Sequence, residues 1–394
     1  ALRRKESRND PIAEALAQSG SPAVGSLIEA TGDSDPRVRQ AAALALGRIR
    51  PLSSNVLPRL TAGLNDENLE AKTAFLTAIG LLGPRGKPAA SAVRELLRHP
   101  SPEIRLRSIQ ILAISSARDE AMLADLLSLI DDSEMKVQIQ VIDQLRLLGP
   151  PGRKALPNVI KKLESPSPEI RLAAAEMIGS HGRFAGEAVP GLSNLLSDPS
   201  PRIRTIAAQT LGKLGKDSQP ALAKLVPLLD MKEMEVREAA VSTIGSLELD
   251  VDTLRPHLAK ALRDEKLEVR RAAIRSIQKL GPPGAIFIPD LILLTEKKEN
   301  LTSVQRILRR FEMAGPDLRS LPDLVKCLDH DQENVRLLAI KFIRLAGHNA
   351  RDVIPSLDRM REDPSEEVRK QAEAAAEQIR GGSATSAEKS ARGT

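Results

Sequence analysis

A 33-residue period runs through this chain, and it constrains the fold more than any other feature. Arg39, Lys72, Arg105, Gln138, Arg171, Arg204, Arg237, Arg270, Ser303, Arg336 and Arg369 stand one period apart, and nine of these eleven are basic. Around each, offsets −1, +3, +4 and +7 are apolar or Ala in most copies, as in Val38, Leu46, Ile170 and Ile178. That spacing predicts one apolar face of a helix with 3.6 residues per turn, called helix B below. A fixed period of this length is the signature of a stacked repeat.

A second lattice shares the period. Pro58, Pro157, Pro190, Pro256, Pro289, Pro322 and Pro355 lie on it, and an apolar residue follows two positions later in every copy, from Leu27 and Leu60 to Leu324 and Leu357. Proline fits the first turn of a helix, where its missing N–H bonds nothing in any case. A helix A of about ten residues is therefore predicted near each proline. It ends in a polar turn such as residues 197–201. Gly83, Gly149, Gly182, Gly215, Gly281 and Gly347 stand eleven residues past the basic position and read as left-handed caps ending helix B.

Short helices of this kind are marginal alone in water, so each hairpin must bury its face against its neighbours. Composition agrees. The 394 residues hold no Trp, no Tyr and five Phe, which suits a thin core of Ala, Leu, Ile and Val. The Thr-Pro-Leu-His motif of ankyrin and the aromatic pattern of tetratricopeptide repeats are both missing.

The segment Leu-Ser-Asp-Pro-Ser-Pro-Arg-Ile-Arg-Thr-Ile-Ala-Ala-Gln-Thr-Leu-Gly-Lys-Leu-Gly at 196–215, together with the recurring Pro-x-Leu, closely resembles HEAT repeats. The shortness of the unit is more similar to the phycobilisome-lyase-like subclass. The resemblance implies an all-α fold: a right-handed, armadillo- or HEAT-like α-solenoid of about eleven 33-residue helical hairpins over residues 21–380. It also implies that helix B lines the concave side. A capping helix is expected within residues 1–20 and a disordered polar tail at 381–394. Ala1 in place of Met reads as a processed or truncated start.

Candidate chemistry is sparse. Asp33, Asp66, Asp132, Asp198, Asp264 and Asp363 stand six residues before a lattice position. They are expected to cap the turn or helix B and to pair with the lattice Arg, within or between repeats. His99, His181, His257, His330 and His348 show no metal-ligand spacing and read as solvated surface residues. Cys327 sits at an apolar helix A offset and reads as a buried thiol. As the lone cysteine, it excludes a Cys-based zinc site. The Gly-Pro-Pro-Gly runs at 149–152 and 281–284 lack the Lys-Ser/Thr of a phosphate loop. No catalytic residue, metal or cofactor is assigned, and no enzyme activity is expected.

Charge is more informative. Residues 255–315 hold 13 Lys/Arg against 7 Asp/Glu, a net +6 that equals the net charge of the whole chain. Repeat nine breaks the pattern there: Thr302 and Ser303 replace the apolar-Arg pair, Thr295 replaces a helix A Leu, and Phe311 and Gly315 fit only if the register slips forward. The slip aligns Arg275, Arg309 and Lys341, and Arg271 and Lys279 share the stripe of Arg275. These five form the candidate partner-binding surface. The leading expectation is a monomeric scaffold holding a protein partner, acidic in character, in its concave groove. The alternatives are a polyanion or nucleic-acid binder using the 255–341 patch, less favoured because no aromatic platform is present, and a lyase-like chromophore chaperone. No apolar run reaches the roughly 18 residues of a membrane span, so the cytoplasm is the default expectation.

Overall fold

The computed structural model describes residues 21–51, 53–115 and 120–381, with positions 14 and 18. Apart from positions 14 and 18, and Gly381 at the end of the last helix, the expected capping helix and polar tail fall outside those residues. The chain divides into two compact units, Ala1–Ala185 and Gly186–Thr394. In the first, five hairpins pair α1 (Val24–Ala30) with α2 (Pro36–Arg48), α3 (Val56–Ala62) with α4 (Leu69–Leu81), α5 (Ala90–Glu95) with α6 (Pro102–Ser115), α7 (Glu120–Leu127) with α8 (Met135–Leu147), and α9 (Leu156–Lys161) with α10 (Pro168–His181). In the second, six hairpins pair α11 (Val189–Leu195) with α12 (Pro201–Leu214), α13 (Leu222–Leu225) with α14 (Met234–Ile244), α15 (Val251–Leu262) with α16 (Leu267–Leu280), α17 (Ile288–Leu293) with α18 (Leu301–Ala314), α19 (Leu321–Lys326) with α20 (Glu333–Leu345), and α21 (Ile354–Arg359) with α22 (Glu366–Gly381). Odd numbers are A helices and even numbers B helices. The described residues contain no strand. Within each unit the hairpins pack chiefly on their neighbours, and the fold is an all-α solenoid.

The sequence lattices are the core. The apolar residue two positions after the lattice proline is buried in all eleven hairpins, from Leu27 to Leu357. Offset +7 of helix B is buried as well, except where Arg310 stands. Helix A differs from the ten-residue α-helix expected. In eight hairpins it is a six- or seven-residue α segment next to a 3-10 turn, and in five of these a 3-10 turn flanks it on both sides, as in Pro150–Ala155, then α9, then Lys162–Glu164. The 3-10 form rises about 2.0 Å per residue against 1.5 Å for the α-helix, so the return stretch covers the distance with fewer residues. Pro157, Pro190, Pro289, Pro322 and Pro355 open their α segments at the first or second position. Only α15 is a long A helix; Asp250 caps it and Pro256 lies inside.

The glycines at the ends of the B helices all have positive φ, but four of them are not left-handed helical caps. Gly149, Gly182, Gly215 and Gly281 combine φ of 52–67° with ψ of −130 to −138°. This is the mirror image of extended backbone, open to glycine because it has no Cβ. It turns the chain straight into the next 3-10 stretch. In repeat nine the turn falls at Gly315, with φ 75°. Gly315 is 34 residues after Gly281 and 32 before Gly347, and the buried Ile307, Leu308 and Phe311 keep the same offset from Ala273, Ile274 and Ile277. The register slip is therefore one residue, gained in repeat nine and returned in repeat ten. Its turn carries an irregularity: Asn300 is 1% exposed, and neither polar side-chain atom has a hydrogen-bond partner.

The lattice Arg links successive hairpins. Nη1 of Arg105 donates to the carbonyls of His99 and Pro100 in its own turn, at 2.8 and 2.9 Å, while Nε and Nη2 hold both oxygens of Asp132 in the next hairpin, at 2.8 and 2.6 Å. Arg39 with Asp66 and Arg237 with Asp264 repeat the double grip, whereas Arg336 holds Asp363 by one hydrogen bond, from Nη2 at 2.9 Å, its Nε lying close to the other oxygen without hydrogen-bond geometry. Each Asp also accepts the backbone N–H two residues on, as Asp132 does from Glu134. The carboxylates thus cap the turn and pair between repeats, 27 residues from the Arg. Where the Asp is missing, a Glu two residues later reaches back: Glu233 to Arg204 at 3.2 Å and Glu299 to Arg270 at 2.7 Å.

The Arg105 and Asp132 side chains are 9% and 5% exposed. Removing one partner strands a buried charge, so Arg105→Ala is expected to cost about 3–5 kcal/mol. Hydrogen exchange should show the loosening concentrated in α5–α8. Uniform loosening of the whole first unit would contradict a stack held by nearest-neighbour contacts.

Candidate partner-binding surface

The five residues singled out for partner binding all lie on B helices of the second unit. Arg271, Arg275 and Lys279 are on α16, Arg309 is on α18 and Lys341 on α20. With the one-residue slip, Arg275, Arg309 and Lys341 take equivalent positions on three successive B helices. Arg271, Arg275, Lys279 and Arg309 are exposed, but Lys341 is only half-exposed. Two of the cations are internally paired: Arg275 with Glu238 of α14 at 3.1 Å, and Lys341 with Glu312 of α18 at 2.6 Å. Arg271, Lys279 and Arg309 have no hydrogen bond or ion pair among the described residues. The stripe is thus less free of carboxylates than the sequence expectation had it, because neighbouring B helices bring glutamates alongside.

His99, His181 and His330 depart from the expected solvated surface residues, while His348 is exposed as expected. His99 and His330 occupy the lattice position of the turn-capping Asp, six residues before Arg105 and Arg336. Each uses Nδ1 as the Asp uses its carboxylate, accepting the N–H of Ser101 and of Gln332 at 3.1 Å. Nε2 of His99 lies 3.4 Å from Nζ of Lys72, so a Lys–His contact stands where the ladder elsewhere has Arg and Asp. Burial, with Lys72 alongside, holds the His99 pKa below the ordinary His value. His181 is buried, and burial lowers its pKa as well. Cys327 is buried as expected; burial, with Asp290 and Asp323, pushes its thiol up to about 11.

A cleft of about 640 Å³ opens on the A-helix side of the same unit, between α15 and α19 with α17 as its floor. Arg255, Arg263, Asp290, Asp323, Lys326 and Cys327 line it. Asp290 is the buried carboxylate at its base, with 11% of its side chain exposed, and takes one bond from Arg263 at 3.0 Å. Burial raises its pKa, against the pull of Arg263 and Arg255. Sequence reading missed this cleft. Its only trace there was an Arg or Asp on the outer face of consecutive A helices, a pattern no different from a solvated surface. Among the described residues, no group of three or more His, Cys, Asp or Glu side chains could hold a metal ion, and no helix is long and apolar enough to cross a membrane.

The family model for HEAT repeats matches residues 11–80, 156–245 and 222–296, more than half of the chain. The chain belongs to the HEAT-repeat family. The match is to HEAT repeats at large and does not single out the lyase-like subclass. No curated protein matches the sequence. Among solved structures, a chain of the Kap95:Nup1 complex is similar with TM-score 0.54 and 15% identity, over 94% of this chain and 58% of that one. A chain of the Kap95p–RanGDP structure gives 0.53 and 15%, over 91% and 55%. An engineered protein gives 0.49 and 17%, over 91% and 98%. This HEAT array spans little more than half the length of the two Kap95 matches.

The His99 contact has a signed pH consequence. A His whose folded pKa lies below its unfolded value of about 6.5 takes up protons more readily when unfolded, so stability is full above that pH and declines as pH falls below it. His99→Asp gives Lys72 the carboxylate that the ladder has elsewhere. It should stabilise the first unit by about 0.5–1 kcal/mol at pH 7.5. Its urea midpoint should also fall less than that of the parent between pH 7.5 and 5.5. An equal or larger fall in the variant would show that His99 does not carry this sensitivity.

Proposed function

We propose that this HEAT array is a protein-binding scaffold whose B-helix face in the second unit receives an acidic segment of a partner. The observation that carries the reading is the recurrence of Arg275, Arg309 and Lys341 at one position of three successive B helices, within the stretch that holds a net +6. None of the three belongs to the buried lattice. Nothing in helix packing requires cations there, and Glu238 and Glu312 engage two of them as exchangeable surface partners. A row of like charges concentrates an oppositely charged segment and sets its register more than its affinity. The absence of Trp and Tyr from the sequence removes the usual stacking surface for bases, which favours a protein over a nucleic acid.

The test uses the triple change Arg275→Gln, Arg309→Gln and Lys341→Gln, which neutralises the row without setting new carboxylates against Glu238 and Glu312. Helix content by circular dichroism should be unchanged. Affinity for a fluorescent Glu/Asp-rich peptide at low salt should fall by at least about tenfold. Equal affinity in parent and variant would place any acidic-peptide binding elsewhere. Tighter binding of a single-stranded oligonucleotide than of the peptide, with a steep salt slope, would favour the polyanion reading instead.

A further inference from the structure

Among the described residues, nearly all ion pairs between hairpins join neighbours, with partners 27–37 residues apart, such as Arg39–Asp66 and Lys260–Asp230. Two do not. Arg255 Nη2 of α15 meets Asp323 Oδ2 of α19 at 2.7 Å, 68 residues away, and Arg319 Nη1 meets both oxygens of Asp252 at 2.7 and 2.9 Å, 67 residues away. Each skips a hairpin. The helix they pass over is α17, in which Ile288, Pro289, Leu291 and Ile292 are all buried. It is a recessed A helix between two that reach each other across it. The cleft floored by Asp290 and Cys327 lies between the bridged helices. Its lining is balanced, with Asp252, Asp290 and Asp323 against Arg255, Arg263 and Lys326, so it selects no ligand by sign. What the geometry provides is closure.

We propose that Arg255–Asp323 and Arg319–Asp252 form an electrostatic clasp that holds the eighth and tenth hairpins together over the ninth, and that its release opens the cleft down to Cys327. The four side chains are 31–67% exposed. Pairs so placed are screened by salt and carry little energy each, which suits a catch that opens and closes better than a fixed strut. The hairpins it spans are those bearing Arg275, Arg309 and Lys341 on their B helices. Drawing the A helices of a stack together splays the B helices behind them, so the clasp sets the spacing of that basic row. This last consequence rests on the proposed acidic-partner reading; the clasp itself does not.

Cys327 is the one cysteine in the sequence, and its 3% exposure makes its alkylation a direct reading of the opening. The experiment follows the rate of modification of the full chain by iodoacetamide, an uncharged reagent, at fixed pH from 20 mM to about 500 mM NaCl, over which the Debye length shrinks several-fold. The parent rate should rise about three- to tenfold as the pairs are screened. The double variant Asp252→Asn, Arg255→Gln removes one member of each pair and spares Asp290, Asp323 and Lys326, the charges that act on the thiol. It should react at the fast rate at all salt concentrations. A parent rate independent of salt and equal to that of the variant would overturn the clasp. So would a variant whose rate climbs with salt as steeply as the parent's. If the variant loses its cooperative melt, the parent salt series decides alone. Failure of the acidic peptide to bind would leave these rates unchanged, so the two readings fail separately.

Discussion

The guanidinium of the lattice Arg is the group on which the stack depends. Where the link is complete, as at Arg105, it sits almost out of solvent at the turn of its hairpin, with one nitrogen on the two carbonyls that the turn leaves open and the other two on a carboxylate of the next hairpin. The planar fork of Arg suits this division of donors, and the ammonium of Lys does not reproduce it. A buried carbonyl without a donor, and a buried carboxylate without a cation, are each costly. The same side chain removes both costs. It therefore satisfies the turn and fixes the neighbour in one geometry, and hydrophobic burial along helices A and B can do the rest.

Substitutions in the ladder follow chemical rules that can be read along the chain. Where Met231 and Lys297 stand in the Asp position, Glu233 and Glu299 supply the carboxylate from two residues on, their extra methylene spanning the added distance. Where Lys72 replaces Arg, its counterpart is His99, which keeps the turn-capping bond through Nδ1 but offers Lys72 no negative charge. Gln138 donates to the Asp132 carbonyl at 2.6 Å and receives Lys162 on its amide oxygen. The bond to the turn carbonyl persists through this change, whereas the bond to the next hairpin varies.

Much of this fold was legible in the sequence because the period is strict. Both apolar lattices, the hairpin count, the Arg–Asp pairing, the buried thiol and the one-residue slip in repeat nine follow from spacing alone. The misreadings share a cause: they depend on which neighbour a residue meets. The Gly at the end of helix B was recognisable as a conformational requirement, but its ψ is set by the 3-10 stretch that follows. His99 and His330 looked scattered until Asp was seen to share their position in the turn. Of the candidate site, the alignment of the basic residues was readable, while the glutamates beside Arg275 and Lys341 came from adjacent helices. The cleft was invisible because contacts that skip a repeat have no counterpart in a lattice of nearest neighbours.

One small residue has a larger consequence. A Cβ on Gly47 would lie 2.8 Å from the Ala78 Cα of the next B helix, so α2 and α4 come within backbone contact near their C-terminal ends. Near their N-terminal ends the same pair is joined through the full length of Arg39 and the carboxylate of Asp66. A pair of rods that meets backbone to backbone at one end and through a long side chain and a turn at the other can act as a wedge. A run of identical wedges would advance by the same angle at every step. At the joints within each unit the pinching position is Gly at 47, 80, 212 and 245, Ala at 113, Arg at 146 and 344, Gln at 278 and, after the slip, Glu at 312. Within each unit the angle is therefore not one constant of the fold but a value written separately at each joint.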